Sequence, residues 1–96
     1  VNFEFDPKKS TLNLIKHGID FKKIQGMWDG QVVVAPSLNI GESRFLAVGK
    51  LEEKFWTVII TNRGDKIRII SARRSRKNEI QNYKKTYDFH KFGREV

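Results

Sequence analysis

The chain reads as an α+β domain in which N-terminal helices and a C-terminal helix pack on an antiparallel β-sheet. Helix signals come early, before most of the strands. Residues 31–73 then read as successive strands joined by turns. A helical spacing resumes at Ser75. At 96 residues the chain is one domain, 1–96, long enough for a single core with little spare stability.

Val1 to Phe5 alternates weakly and reads as a short strand. Asp6-Pro7 starts a helix, with a carboxylate at the N-cap and proline at the first helical position. Gly18 ends it through the left-handed conformation that glycine adopts freely. At 100° per residue Thr11, Leu12, Leu14 and Ile15 form one apolar arc, and Lys9, Asn13, Lys16 and His17 fall together on the other side. Asp20 caps a second short helix whose Phe21, Ile24 and Met27 or Trp28 face the core.

Gln31 to Ala35 is the first strand of the middle region, stopped by Pro36. Ser43 to Val48 is the second, turning through Gly49 to Glu53. Lys54 to Thr61 comes next, then a tight turn at Gly64-Asp65, then Lys66 to Arg73. From Ser75, Ile80, Tyr83 and Tyr87 recur at helical spacing and read as core. The tail after Asp88 carries Phe89, His90 and Phe92, placed to dock or to fray.

A two-residue loop at Gly64-Asp65 sets Arg63 opposite Lys66 and Thr61 opposite Arg68. One face of the hairpin then carries Trp56, Val58, Ile60, Ile67 and Ile69, which is core. The other carries Thr57, Thr61, Arg63, Arg68 and Arg74 with Phe55, Ile59 and Ile70 between them. Such a mixture of cations, hydroxyls and apolar groups suits an RNA- or partner-binding surface. A slip of one residue would reverse the assignment.

Charge is unevenly distributed. Residues 63–96 hold 11 Lys+Arg against 4 Asp+Glu, and residues 1–62 hold 8 against 7. Almost all of the net +8 therefore sits in the last third, which points to a polyanionic partner. Arg73 and Arg74 end a strand just before a helix that opens with Arg76 and Lys77. Cations are unfavourable at a helix N-terminus, and an arriving anion would relieve the conflict.

The chain has no cysteine, which removes disulfides, thiolate metal sites and a Cys nucleophile, and is compatible with a reducing cytosol. No apolar run approaches the ~20 residues that span a bilayer. The acidic start, Val-Asn-Phe-Glu-Phe-Asp, is unlike a signal peptide. His, Asp and Glu are not clustered at ligand spacing, so neither a metal nor another cofactor is expected. Gly49-Lys50 is no phosphate loop, since the upstream glycine is at the wrong distance and Leu51 stands in place of Ser or Thr. Trp28 and Trp56 read as core.

Several segments together resemble the BrnT-type ribonuclease toxins of bacterial type II toxin–antitoxin systems. They are Phe5-Asp6 with Lys9, Asn13, Lys16-His17-Gly18-Ile19 with Phe21, and Gly41-Glu42 with Arg44. Thr61 with Arg63, Arg68-Ile69-Ile70-Ser71-Ala72-Arg73, Glu79 and Tyr83 complete the set. The resemblance covers about residues 3–87. Ile60 departs from it, because the family often has Tyr before the Thr. The resemblance implies a RelE-like fold and an endoribonuclease that slows growth by cutting RNA in the cytoplasm. It also implies a ribbon-helix-helix antitoxin partner, a heterotetramer, and repression of the shared operon through operator DNA bound by the antitoxin.

Metal-independent RNA cleavage uses the substrate's 2′-hydroxyl as nucleophile. It needs a base, cations around the phosphorane and an acid at the leaving 5′ oxygen. Arginine is always charged and therefore stabilises rather than accepts protons. Arg63 and Arg73 are the first candidates for that role, then Arg74. Lys16 and His17 are the candidates for proton transfer, with Thr61 as a hydrogen-bonding partner of phosphate or ribose. Arg74, Arg68, Arg76 and Lys77 are expected to bind RNA. The bland readings remain beside these: His17 as a helix-end cap, Lys16 as a solvated lysine, Thr61 as a routine strand residue, and Arg68, Arg44 and Glu42 as paired strand-edge charges. The alternative to an enzyme is a non-catalytic basic module that binds RNA or DNA.

Overall fold

A computed structural model describes residues 1–37 and 43–93, with side chains through residue 87. Five strands form one sheet in the order β1-β5-β4-β3-β2. They are β1 (Asn2–Glu4), β2 (Val32–Pro36), β3 (Arg44–Leu51), β4 (Lys54–Arg63) and β5 (Lys66–Arg74). Helices α1 (Pro7–His17) and α2 (Lys77–Gly93) and a 3-10 helix, Lys23–Asp29, complete the described elements. The fold is α+β, but the sheet is mixed rather than antiparallel: β1 lies parallel to β5, with Phe3 beside Ile67 and Glu4 beside Arg68. Strands β2 to β5 form an antiparallel meander.

The boundaries of α1 obey the local signals. Asp6 accepts a hydrogen bond from the Lys8 N–H at 2.9 Å, and Pro7 opens α1. Gly18 closes it at φ 80°, donating its N–H to the Leu14 carbonyl. Asp20 accepts from the Lys23 N–H at 2.7 Å in the turn before the 3-10 helix, but the N-cap position is Lys22 rather than Asp20, and Phe21 lies in that turn. Ile19, Phe21, Ile24 and Met27 then pack on Ala47, Trp56, Val58, Ile60, Ile69 and Ala72, and this is the main core.

The β3–β4 hairpin is longer than the sequence suggests. Strand β3 runs on through Gly49 to Leu51, and only Glu52 and Glu53 turn, both with positive φ. Gly49 is a strand residue because the core presses on it: a Cβ there would stand 2.6 Å from Met27 Cγ. The Gly64-Asp65 turn gives the expected register, Arg63 opposite Lys66 and Thr61 opposite Arg68.

Away from the turn the expected faces change. Ile60 pairs with Ile69 and Ile59 with Ser71, leaving Ile70 as an extra residue in β5. This bulge reverses the alternation of residues 71–74. Ala72 enters the core, Arg73 pairs with Thr57, and Arg74 pairs with Trp56 on the core side. Arg74 is therefore not on the mixed face, and Thr57 is not open on it. Thr57 is fully buried, bonded to Ser75 at 2.8 Å and to Glu79 of α2 at 3.0 Å. Helix α2 covers that end of the second face. Tyr83 packs edge-on against Phe55 and donates its hydroxyl to the Gln31 carbonyl at 3.1 Å, whereas Tyr87 is exposed rather than core. The docking of Phe89, His90 and Phe92 lies outside the described residues.

Helix α1 is oriented against its own amphipathic pattern. Its buried residues are Ser10 and Asn13, while Leu12 is 63% and Ile15 78% exposed. The cause is the neighbour it meets. Strand β1 covers β5 only over residues 66–68, and α1 continues along the edge beyond. That edge presents backbone polar groups, which need polar partners. The Asn13 side chain supplies them, donating to the Ala72 carbonyl at 2.9 Å and accepting from the Ala72 N–H at 3.2 Å. It also donates to the Ile19 carbonyl at 2.8 Å. Ser10 Oγ accepts from the Phe21 N–H at 2.9 Å. One carboxamide thus takes the place of a strand and ties the helix to the loop after it.

Candidate functional site

The face left open by α2 carries a basic groove of about 370 Å³, lined by Lys9, Ser43, Arg44, Thr61, Arg63, Arg68 and Ile70. Its floor is a cross-strand row. Arg44 of β3 is beside Thr61 of β4, which is beside Arg68 of β5, which is beside Glu4 of β1. Arg68 reaches the Glu4 carboxylate at 3.7 Å. Lys9, in the first turn of α1, and Ile70, at the bulge of β5, also line it. Thr61 donates its hydroxyl proton to the Ser43 carbonyl at 2.8 Å. Its free lone pairs are acceptors, matched to a ribose hydroxyl rather than to a phosphate oxygen. Glu42, expected to pair with Arg44, lies outside the described residues.

Arg73 is placed elsewhere and is already engaged. It forms a two-pronged ion pair with Glu79, both N–O distances 2.8 Å, and both side chains are largely buried. Glu79 also accepts from the Arg76 N–H at 2.7 Å, three residues earlier at the start of α2. This is the reciprocal half of a capping box, with Arg76 at the N-cap. The hydrogen bond from Arg73 is the main reason the Glu79 carboxyl is lowered to about 2, opposed by burial and helped by the Arg76 N–H and the Thr57 hydroxyl. The same bond raises Arg73, against burial. Burial also raises the Tyr83 hydroxyl. The conflict at the basic start of α2 is therefore met by a carboxylate of the chain itself. Arg76 and Lys77 are exposed there.

A second hollow of about 240 Å³, away from the groove, gathers His17, Lys23, Lys54, Trp56 and Arg74 among its lining residues. Arg74 lies over the Trp56 ring at 5.6 Å and donates to the Phe55 carbonyl at 3.3 Å. Lys16 is exposed on α1 and lines neither hollow. The structure thus brings together Thr61, Arg63 and Arg68. It separates them from His17 and Arg74, and it engages Arg73 within the fold.

Lys9, which lines the groove, and Glu4, which pairs with its Arg68, are not candidates on sequence grounds. Lys9 is visible only as one of the residues shared with the toxins, and its signal is its place one turn into a helix that comes after an edge strand. Glu4 gives no signal beyond the alternation of β1. Among the described residues, no three His, Asp or Glu side chains gather as metal donors.

A concave, cation-lined sheet face with a hydroxyl acceptor at its centre is chemically suited to holding an RNA backbone. No curated protein matches the chain. The family model described as the ribonuclease toxin, BrnT, of type II toxin–antitoxin systems matches residues 5–79. With the basic groove built almost wholly from residues inside that span, the chain belongs to the BrnT family of ribonuclease toxins of type II toxin–antitoxin systems.

Proposed function

We propose that the toxin is a metal-independent endoribonuclease whose active site is the Lys9–Thr61–Arg63–Arg68 groove. The observation that carries this reading is the gathering of these cations around one acceptor hydroxyl on the sheet face that α2 leaves open. In the reaction, the 2′ oxygen attacks the adjacent phosphorus and its proton passes to water at the open face. The bond from phosphorus to the 5′ oxygen breaks, and that oxygen takes a proton from Lys9. The products are a 2′,3′-cyclic phosphate and a 5′-hydroxyl end. Arg63 and Arg68 neutralise the non-bridging oxygens as charge develops, with Glu4 holding Arg68 in place. Before the attack Thr61 accepts from the ribose 2′-hydroxyl and orients it, and that hydrogen bond is given up as water takes the proton. Arg73 shapes the site by fixing α2 to β5, and Arg74, Arg76 and Lys77 extend the basic surface along which RNA is held.

The toxin acts in the cytoplasm in this reading. A ribbon-helix-helix antitoxin neutralises it, the pair assembles as a heterotetramer, and the complex represses its operon. Purified protein should cleave RNA in the presence of EDTA and leave cyclic phosphate ends. Arg63→Ala and Arg68→Ala should each slow cleavage by ~10²-fold while leaving thermal unfolding close to wild type. Intact RNA after long incubation with folded wild-type protein would overturn the reading. Salt-sensitive binding without cleavage would instead identify a non-catalytic RNA-binding module.

A further inference from the structure

We infer that the outward face of α1 is where the antitoxin docks, through an amphipathic segment with an apolar stripe bordered by carboxylates. The inference rests on the reading of this chain as a toxin with a protein antitoxin. Because Asn13 and Ser10 turn inward to serve the β5 edge, the apolar arc of the helix is forced outward. Leu12 is 63% and Ile15 78% exposed, a large apolar surface for adjacent turns of one short helix. At 100° per residue the stripe reads Lys8, then Leu12 with Ile15 beside it, then Lys16, so lysines stand four residues before and four residues after Leu12. Nucleic acid gains little from such a stripe, whereas an amphipathic protein segment buries it. The bracketing lysines and the net charge of +8 select acidic flanks in that segment.

The position also links docking to inhibition. Lys9, on the same helix, forms a wall of the basic groove. A segment lying along Leu12 and Ile15 stands at the rim of that groove and narrows the approach of RNA. Binding and neutralisation then arise from one contact.

The test uses the full chain and the antitoxin encoded beside it, both purified. Leu12→Ser with Ile15→Ser removes the apolar pair without adding charge near the groove. The double variant should bind the antitoxin ~10²-fold more weakly, cleave RNA at the wild-type rate, and unfold at the wild-type temperature. Cells producing it should no longer be rescued by the antitoxin. Unchanged antitoxin affinity in a folded variant would overturn the inference, even if RNA cleavage proceeds as proposed. A wild-type chain that binds antitoxin but cleaves no RNA would overturn the ribonuclease site and leave the docking face standing. A wild-type chain that self-associates alone, with the variant monomeric, would assign the face to a second copy and also overturn the inference.

Discussion

Replacing Asn13 by Ala should unfold this protein far more readily than any change on the apolar side of the same helix. The Asn13 carboxamide makes three hydrogen bonds, at 2.8, 2.9 and 3.2 Å, and is only 7% exposed. Alanine leaves the Ala72 N–H, the Ala72 carbonyl and the Ile19 carbonyl without those partners. At ~1 kcal/mol for each, the loss is ~3 kcal/mol. A 96-residue domain has about 5–14 kcal/mol in total. The unfolding midpoint should fall by about 12–24 °C. Leu12→Ala and Ile15→Ala should each cost less than ~0.5 kcal/mol, because both side chains are already in water. Urea titrations monitored by tryptophan fluorescence measure all three. Had the apolar arc faced a core, the order would invert, with the Leu and Ile substitutions costing about 2–5 kcal/mol. A loss below ~1 kcal/mol for Asn13→Ala would refute the assignment of the carboxamide as the partner of the β5 edge.

Glu79 has a folded value of about 2 against an ordinary 4.5. Because the shift is downward, the stabilisation it represents is complete above about 4.5 and is lost as pH falls toward 2. Wild-type stability should therefore decline more steeply across that window than that of Glu79→Gln, as monitored by circular dichroism; parallel declines would show that the Arg73 pair does not govern acid unfolding. At the β3–β4 turn, Glu53 holds a φ of 67° that costs an L residue energy. Glu53→Gly should gain about 0.5–1 kcal/mol while keeping the 3.2 Å Lys23–Glu52 ion pair, and a lower unfolding midpoint would contradict the relief of backbone strain.

Much of the fold is legible in the sequence where a local rule decides it. Asp6-Pro7 and Gly18 fix the ends of α1 through caps, and Gly64-Asp65 fixes a hairpin register through its turn. That register is enough to put Thr61, Arg63 and Arg68 on one face, which is the centre of the candidate site. The remainder depends on partners distant in sequence. The apolar period of α1 promises burial of Leu12 and Ile15, but a helix meeting a sheet edge must offer polar groups, and only the fold reveals that edge. The Ile70 bulge leaves no mark in an otherwise regular apolar run, yet it exchanges the faces of the strand residues after it. Arg73 reads as free in the sequence because its partner Glu79 belongs to the next helix. His17 and Thr61 read as members of one site, and they line different hollows because α1 reaches from one end of β5 to the other.

The joining of Asn13 to Ala72 across 59 positions also bears on the order in which the chain folds. Strands β2 to β5 pair between successive neighbours and gain contacts with little loop closure, whereas β1 and α1 have no place to dock until β5 exists. The N-terminal strand and helix are thus the last of these elements to settle. Lys9 and the Glu4–Arg68 pair complete the basic groove only at that step. The Ala72 amide, whose proton is held by a side chain instead of a strand, is the natural reporter: its hydrogen exchange tracks the docking of the N-terminal segment, separately from the opening of the meander.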